Sequence, residues 1–209
     1  MSRSATPSAA REVASTATRI LDVAEELFAE RGYAAVSVRE IAGRVSLNQA
    51  SLYNHFPSKQ ALYEAVLERG LRPIRELLAE GSAMLLTPEL GDMLIERLID
   101  QLWRTPELPK LLQREMLDDG EYFERLSDQW LRPIYEQGRL AMAAASADAS
   151  WREEELPLVV VAMYQLLFGF FNAGALMRRV IGIEPSSEEM RRVHVAFVKD
   201  AVRRLMRIR

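Results

Sequence analysis

Between Arg39 and Lys59 the chain carries several side chains able to hydrogen-bond a base edge or a polyanion. A guanidinium such as that of Arg39 can fork onto guanine O6 and N7, and a carboxamide such as that of Gln49 can pair with adenine N6 and N7. Ser51, Tyr53, His55 and Lys59 can donate to phosphate oxygens, contacts that fix register without reading sequence. Gln49 and Tyr53 stand four apart and so share one face of a helix, while Leu52 and Phe56 line another. The same residue types also make an ordinary polar helix surface, and spacing alone does not choose between the two readings.

Short helices must position these groups. From Thr16 the apolar residues Ile20, Leu21, Ala24, Leu27 and Phe28 recur with helical spacing, and Gly32 stops the run. Ser37-Val38-Arg39-Glu40 reads as a capping box, with Ser37 accepting from the Glu40 amide and the Glu40 side chain reaching back. That predicts a short helix to about Val45. Asn48 caps a second one, Gln49 to about His55. Pro57 ends it, and Ser58 caps a longer helix over about 58–80, in which Arg72-Pro73 makes either a kink or an end. A short helix, a tight link and a second short helix form the helix-turn-helix plan, whose second helix can enter a major groove.

From about residue 88 long helical patterns alternate with breaks at Thr87-Pro88, Thr105-Pro106, Asp119-Gly120, the Ala/Ser run 143–150 and Gly182 to Ser187. No period-2 alternation runs long enough for a sheet. The expected fold is all-α with about nine helices, divided into an arm (1–12), a helix-turn-helix domain (13–60) and a larger helical domain (61–209). Arg3 and Arg11 lie in the arm, which reads as a flexible terminus or as a segment that touches phosphates. It lacks the apolar run of a secretory signal.

With 49% apolar and 27% charged residues among 209, the chain has the composition of a globular protein. The absence of cysteine excludes disulfides, thiolate metal sites and cysteine nucleophiles, and fits an intracellular location. The net charge is −3, with residues 1–60 slightly positive and the remainder negative, which suits one local anionic partner. His55 and His194 are far apart, the acidic runs at Glu153-Glu154-Glu155 and around Glu115 to Glu121 read as helix ends, and no phosphate loop or nucleophile elbow appears. Neither an enzyme nor a metal or other cofactor is expected. The stretch Leu156 to Met177 is uncharged and long enough to span a bilayer. Pro157, Gln165, Asn172 and two glycines interrupt it, so it reads instead as a helix buried between protein layers. Gly169 and Ala173, four apart, would let another helix approach closely.

The run from Thr18 to Tyr33 resembles the first helix of the TetR family of bacterial transcriptional regulators. Ser37 to Ala42 looks like that family's second helix, and Ser51 to Tyr63 like its recognition helix and the start of its fourth. The resemblance covers roughly residues 18–67. It implies DNA contacts at Arg39, Asn48, Gln49, Ala50, Ser51, Tyr53, His55 and Lys59. Two positions depart from the pattern. Ser46 replaces a turn glycine, where a left-handed backbone costs about 1–2 kcal/mol. Gly43 weakens the second helix by roughly 0.5–1 kcal/mol relative to alanine.

The resemblance further implies a cytoplasmic homodimer that binds an inverted-repeat operator in double-stranded DNA, acts as a repressor, and has no membrane partner. Its seam would come from two helices over about 153–181 and 187–207. Leu166, Gly169, Phe170, Ala173, Val195, Val198 and Val202 are the expected interface residues. A small-molecule effector, hydrophobic or aromatic, would bind the second domain against Trp103, Met116, Tyr122, Phe123, Trp130, Met163, Phe168, Phe171 and Asn172. Gln113 and Gln165 are candidate polar handles. An all-helical dimeric adaptor without specific DNA binding is the alternative.

Overall fold

The computed structural model describes residues 15–84, 88–118, 121–145 and 151–205. The arm of residues 1–12, the Asp119-Gly120 break and residues 146–150 of the Ala/Ser run lie outside them. No strand occurs among the described residues. The chain divides into two compact units, the first ending at Val66 and the second beginning at Leu67.

In the first unit α1 (Thr16–Ala35) starts under a Ser15 cap, whose hydroxyl accepts from the Thr18 amide at 3.2 Å. Its stripe of Ile20, Ala24, Leu27 and Phe28 is fully buried. Gly32 breaks the helical path at φ 81°, a conformation that costs glycine nothing. α2 (Val38–Arg44) begins as its capping signal predicts, with Ser37 Oγ accepting from the Glu40 amide at 3.2 Å. The Glu40 carboxylate does not reach back. It accepts from Arg31 at 2.7 Å, a charge-assisted bond stronger than one to a neutral amide.

The exit from α2 is a Schellman turn. The Leu47 amide donates to the Ala42 carbonyl at 2.8 Å and the Ser46 amide to Gly43 at 3.1 Å, with Ser46 left-handed at φ 60°. Arg19 of α1 donates to the Val45 carbonyl at 3.1 Å and so closes the turn from the side. Asn48 then caps α3 (Gln49–Tyr53), accepting from the Ser51 amide at 2.7 Å. Ser58 caps α4 (Lys59–Met84), which runs on through Pro73 rather than ending there. Leu52, Leu62, Tyr63 and Val66 complete the core, with Tyr63 edge-on to Phe28 at 4.9 Å between centroids.

The second unit comprises the remainder of α4, α5 (Pro88–Arg104), α6 (Glu107–Asp118), and α7 (Glu121–Leu126), which continues through a π turn into α8 (Arg132–Ala145). There follow α9 (Leu156–Asn172), a short α10 (Gly174–Leu176) and α11 (Glu188–Leu205). The expected single helix over 153–181 is broken at Ala173, where Asn172 and Gly174, both weak helix formers, stand on either side. The two pieces, Leu156–Asn172 and Gly174–Ile181, meet at 54°, and among the described residues no single helix is long and apolar enough to cross a membrane.

Ile95, Ile99, Val159, Val198 and Val202 form a core between α5, α9 and α11, with Met163, Leu166 and Val195 packed against it. Val198 and Val202 are buried within the chain itself, Val195 and Leu166 face the same core, and Phe170 stacks on the His194 ring at 4.0 Å. An ion-pair ladder flanks the core, with Asp92 to Arg203, Glu96 to Lys199, and Asp100 to Arg191 at 2.7 Å. Acids stand on α5 and bases on α11, which fixes their antiparallel register, although exposed pairs add only about 0–1 kcal/mol each.

Two outcomes follow for stability. Ser46→Gly should raise it by about 1 kcal/mol in urea denaturation, because glycine takes the left-handed turn without a Cβ clash; a loss of stability would contradict this. His194 is buried, its Nδ1 accepts from Trp103 Nε1 at 3.3 Å, and burial pushes its pKa below the ordinary histidine value. Its stabilising contribution is therefore present above the unfolded value of about 6.5 and lost as pH falls through the folded one. The melting temperature should drop between pH 7.5 and 5.5, and His194→Phe should shrink that drop; an equal drop in the variant would contradict it.

Candidate nucleic-acid interface

The exposed faces of α2 and α3 carry the groups singled out from the sequence. Arg39 lies in the first turn of α2, exposed and with no hydrogen-bond or ion-pair partner among the described residues. Its neighbours are committed: Arg31 to Glu40, Arg44 to Glu26 at 3.4 Å, and Arg19 to the turn carbonyl. Among the arginines of residues 15–66, Arg39 is thus the one left free for an external acceptor.

On α3, Leu52 is fully buried and anchors the helix, leaving Gln49, Ala50 and Tyr53 exposed. Gln49 Nε2 donates to Tyr53 Oη at 3.2 Å, so the carboxamide oxygen and the phenolic proton both remain available. Asn48 spends its Oδ1 on the cap, which leaves its NH2 group as donor. Ser51 is half-buried, and His55 is exposed just beyond the helix. Lys59, at the head of α4, sits 4.3 Å from the centroid of the Tyr33 ring and donates to the Ala34 carbonyl at 3.4 Å. Burial lowers its pKa from the ordinary lysine value. These contacts hold the ammonium beside the start of α4.

Sequence reasoning missed the roles of Arg19, Arg31 and Tyr33. Their partners lie on other helices, and no local pattern announces such pairs.

The aromatic residues of the second unit make several contacts among the described residues. Trp103, Phe170, Phe171 and His194 nest together, and Met163 packs against the neighbouring core. Phe168 stacks on Tyr164 at 4.8 Å, Tyr122 carries the Arg125 guanidinium, and Trp130 that of Arg75. Met116 and Phe123 are half-buried on α6 and α7, while Gln113 and Gln165 are exposed. The side-chain oxygens of Tyr164 and Asn172 are buried without a hydrogen-bond partner among the described residues, and burial pushes the Tyr164 phenol up to about 12. A cleft of about 310 Å³ lies elsewhere, between the second half of α4 and α5. Among the described residues no group of three or more His, Cys, Asp or Glu is placed to hold a metal ion.

The profile described as bacterial regulatory proteins, tetR family, matches residues 20–66. Over nearly the whole length, the HTH-type transcriptional repressor Rv3405c of Mycobacterium tuberculosis is 32% identical, covering 96% of this chain and 92% of that one. The chain belongs to the TetR family. The HTH-type transcriptional repressor KstR2 of Rhodococcus jostii is 41% identical over 68 residues, 31% of this chain and 33% of its own. Among solved structures, AmtR of Mycobacterium smegmatis superposes with a TM-score of 0.66 at 21% identity, covering 94% of this chain and 88% of its own. A TetR/AcrR-type transcriptional regulator of Aquifex aeolicus gives 0.60 at 23%, covering 91% and 99%. These likenesses establish the TetR fold. As a TetR-family member the chain is a DNA-binding transcriptional regulator and not an enzyme.

Proposed function

We propose that this TetR-family regulator is a cytoplasmic repressor that binds an inverted-repeat operator as a homodimer and releases it when a small molecule occupies the second unit. The observation that carries the DNA reading is the free, exposed Arg39 beside the capped α3 that presents Gln49 and Tyr53. In this reading Arg39 and Gln49 meet base edges, and Ser51, Tyr53, His55 and Lys59 fix the phosphates. Asn48 and Ala50 border the same surface.

The homodimer is supported by apolar surface that the single chain leaves bare. Leu158 and Val161 on α9 are 70% and 56% exposed, and Val193 and Phe197 on α11 are 53% and 61% exposed. The α9 residues continue with helical spacing through Gln165 to Gly169, where an added Cβ would meet only the Gln165 side chain of its own helix, at 3.3 Å. The seam is therefore assigned to the outward faces of α9 and α11, around Leu158, Val161, Gly169, Val193 and Phe197. Ala173 lies at the end of the α9 face. Two heads about one helical turn of DNA (~34 Å) apart would read the two half-sites.

Arg39→Ala should weaken binding to the best duplex from a randomised pool by roughly 1–3 kcal/mol without moving the melting temperature by much. Unchanged binding would favour the adaptor alternative. Phe197→Glu should convert a dimer into a monomer in light scattering and abolish binding to the two-half-site duplex. A wild-type monomer at micromolar concentration would overturn the dimer.

A further inference from the structure

The cleft between α4 and α5 has a definite chemistry. Pro73, Glu76, Leu77 and Glu80 line it from α4, and Arg97, Asp100, Gln101 and Arg104 from α5. Two of its charged groups are already spent inside it, since Glu80 pairs with Arg97 at 3.0 Å. Asp100 is held by Arg191 of α11 at 2.7 Å. Glu76 and Arg104 have no ion-pair or hydrogen-bond partner among the described residues. With Glu80 against Arg97, equal steps in opposite directions along the two helices set Glu76 towards Gln101 and Arg104 towards Pro73. Glu76 and Arg104 are thus offset by about one helical turn, ~5 Å, along the helix axes, on opposite walls of the cleft. Leu77 and Pro73 offer short apolar surface, and the Gln101 amide can donate or accept.

We propose that this cleft binds a small zwitterion, a compound whose ammonium meets Glu76 and whose carboxylate meets Arg104 across a short spacer. The proposal rests on the effector reading above and gives that effector a chemistry. It differs from the apolar wall expected from the sequence. A carboxylate on Arg104 is suited to the forked, bidentate geometry of a guanidinium. The cleft also touches two elements that a regulator needs to move. Pro73 removes one amide hydrogen from the ladder of α4, the helix whose first turn carries Lys59. Asp100 holds Arg191 of α11, which presents Val193 and Phe197 outward. An ammonium near Asp100 competes with Arg191, so filling the cleft acts on both helices together.

The test uses the full chain and glycylglycine as probe, with glycylglycine ethyl ester lacking the anion and N-acetylglycylglycine lacking the cation. Glycylglycine should raise the melting temperature and give a saturable heat in calorimetry, and neither blocked form should do so. Glu76→Gln and Arg104→Gln, both at exposed positions, should each weaken binding at least tenfold while leaving the unliganded melting temperature in place. Equal shifts with all three compounds, no shift with any, or undiminished binding by both variants would overturn the site. Operator binding is measured separately. Glycylglycine that binds and also lowers operator affinity supports the proposal as a whole, whereas binding without that change keeps the site and removes the effector role. Release by an apolar compound, with no zwitterion bound, overturns the site and leaves the effector reading intact.

Discussion

A helix of five residues does not hold itself together in water, because too few internal hydrogen bonds offset the entropy of fixing its backbone. α3 is such a helix, and it carries Gln49 and Tyr53. Its existence depends on what surrounds it: the Asn48 cap at one end, Leu52 driven into the core, and the Schellman turn that delivers the chain from α2. That turn in turn depends on Ser46 accepting a left-handed backbone and on Arg19 reaching across to the Val45 carbonyl. The same construction disposes of the positive charge. Arg19, Arg31 and Arg44 are consumed in holding the short helices in place, and Arg39 is left outward.

The second unit is governed by how apolar faces are shared. α11 turns His194, Val198 and Val202 into the chain's own core and leaves Val193 and Phe197 exposed. α9 is apolar on nearly every side, so its inner face joins that core while Leu158 and Val161 remain outside. The lack of charge in this stretch fits a helix with apolar residues on both its inward and its outward face, as the proposed homodimer requires. The ladder from Asp92, Glu96 and Asp100 to α11 sets which stripe goes inward.

Signals that act over three or four residues were legible in the sequence. The caps at Ser37, Asn48 and Ser58, the stop at Gly32 and the departure at Ser46 all concern a backbone group and a side chain close by, and each appears in the structure. The exposed face of α3 followed from the same periodicity. Choices settled by distant neighbours were not legible. Glu40 could have turned back to its own helix until Arg31 was brought beside it, and Val198 could have faced either way until α5 supplied Ile95 and Ile99. Which aromatic side chains touch one another was not legible either, because residue type carries no information about which helices meet. The cleft was invisible for the same reason, since its free charges, Glu76 and Arg104, lie on helices whose register only the folded chain sets.

The most direct measurement is a selection of duplex DNA from a randomised pool by the purified protein at near-physiological salt, followed by the mass of the complex on the winning duplex. The proposed homodimeric repressor would enrich an inverted repeat bound by two copies of the chain, with the half-sites about one helical turn apart. Enrichment of no sequence, or of an asymmetric site bound by a single copy, would contradict it.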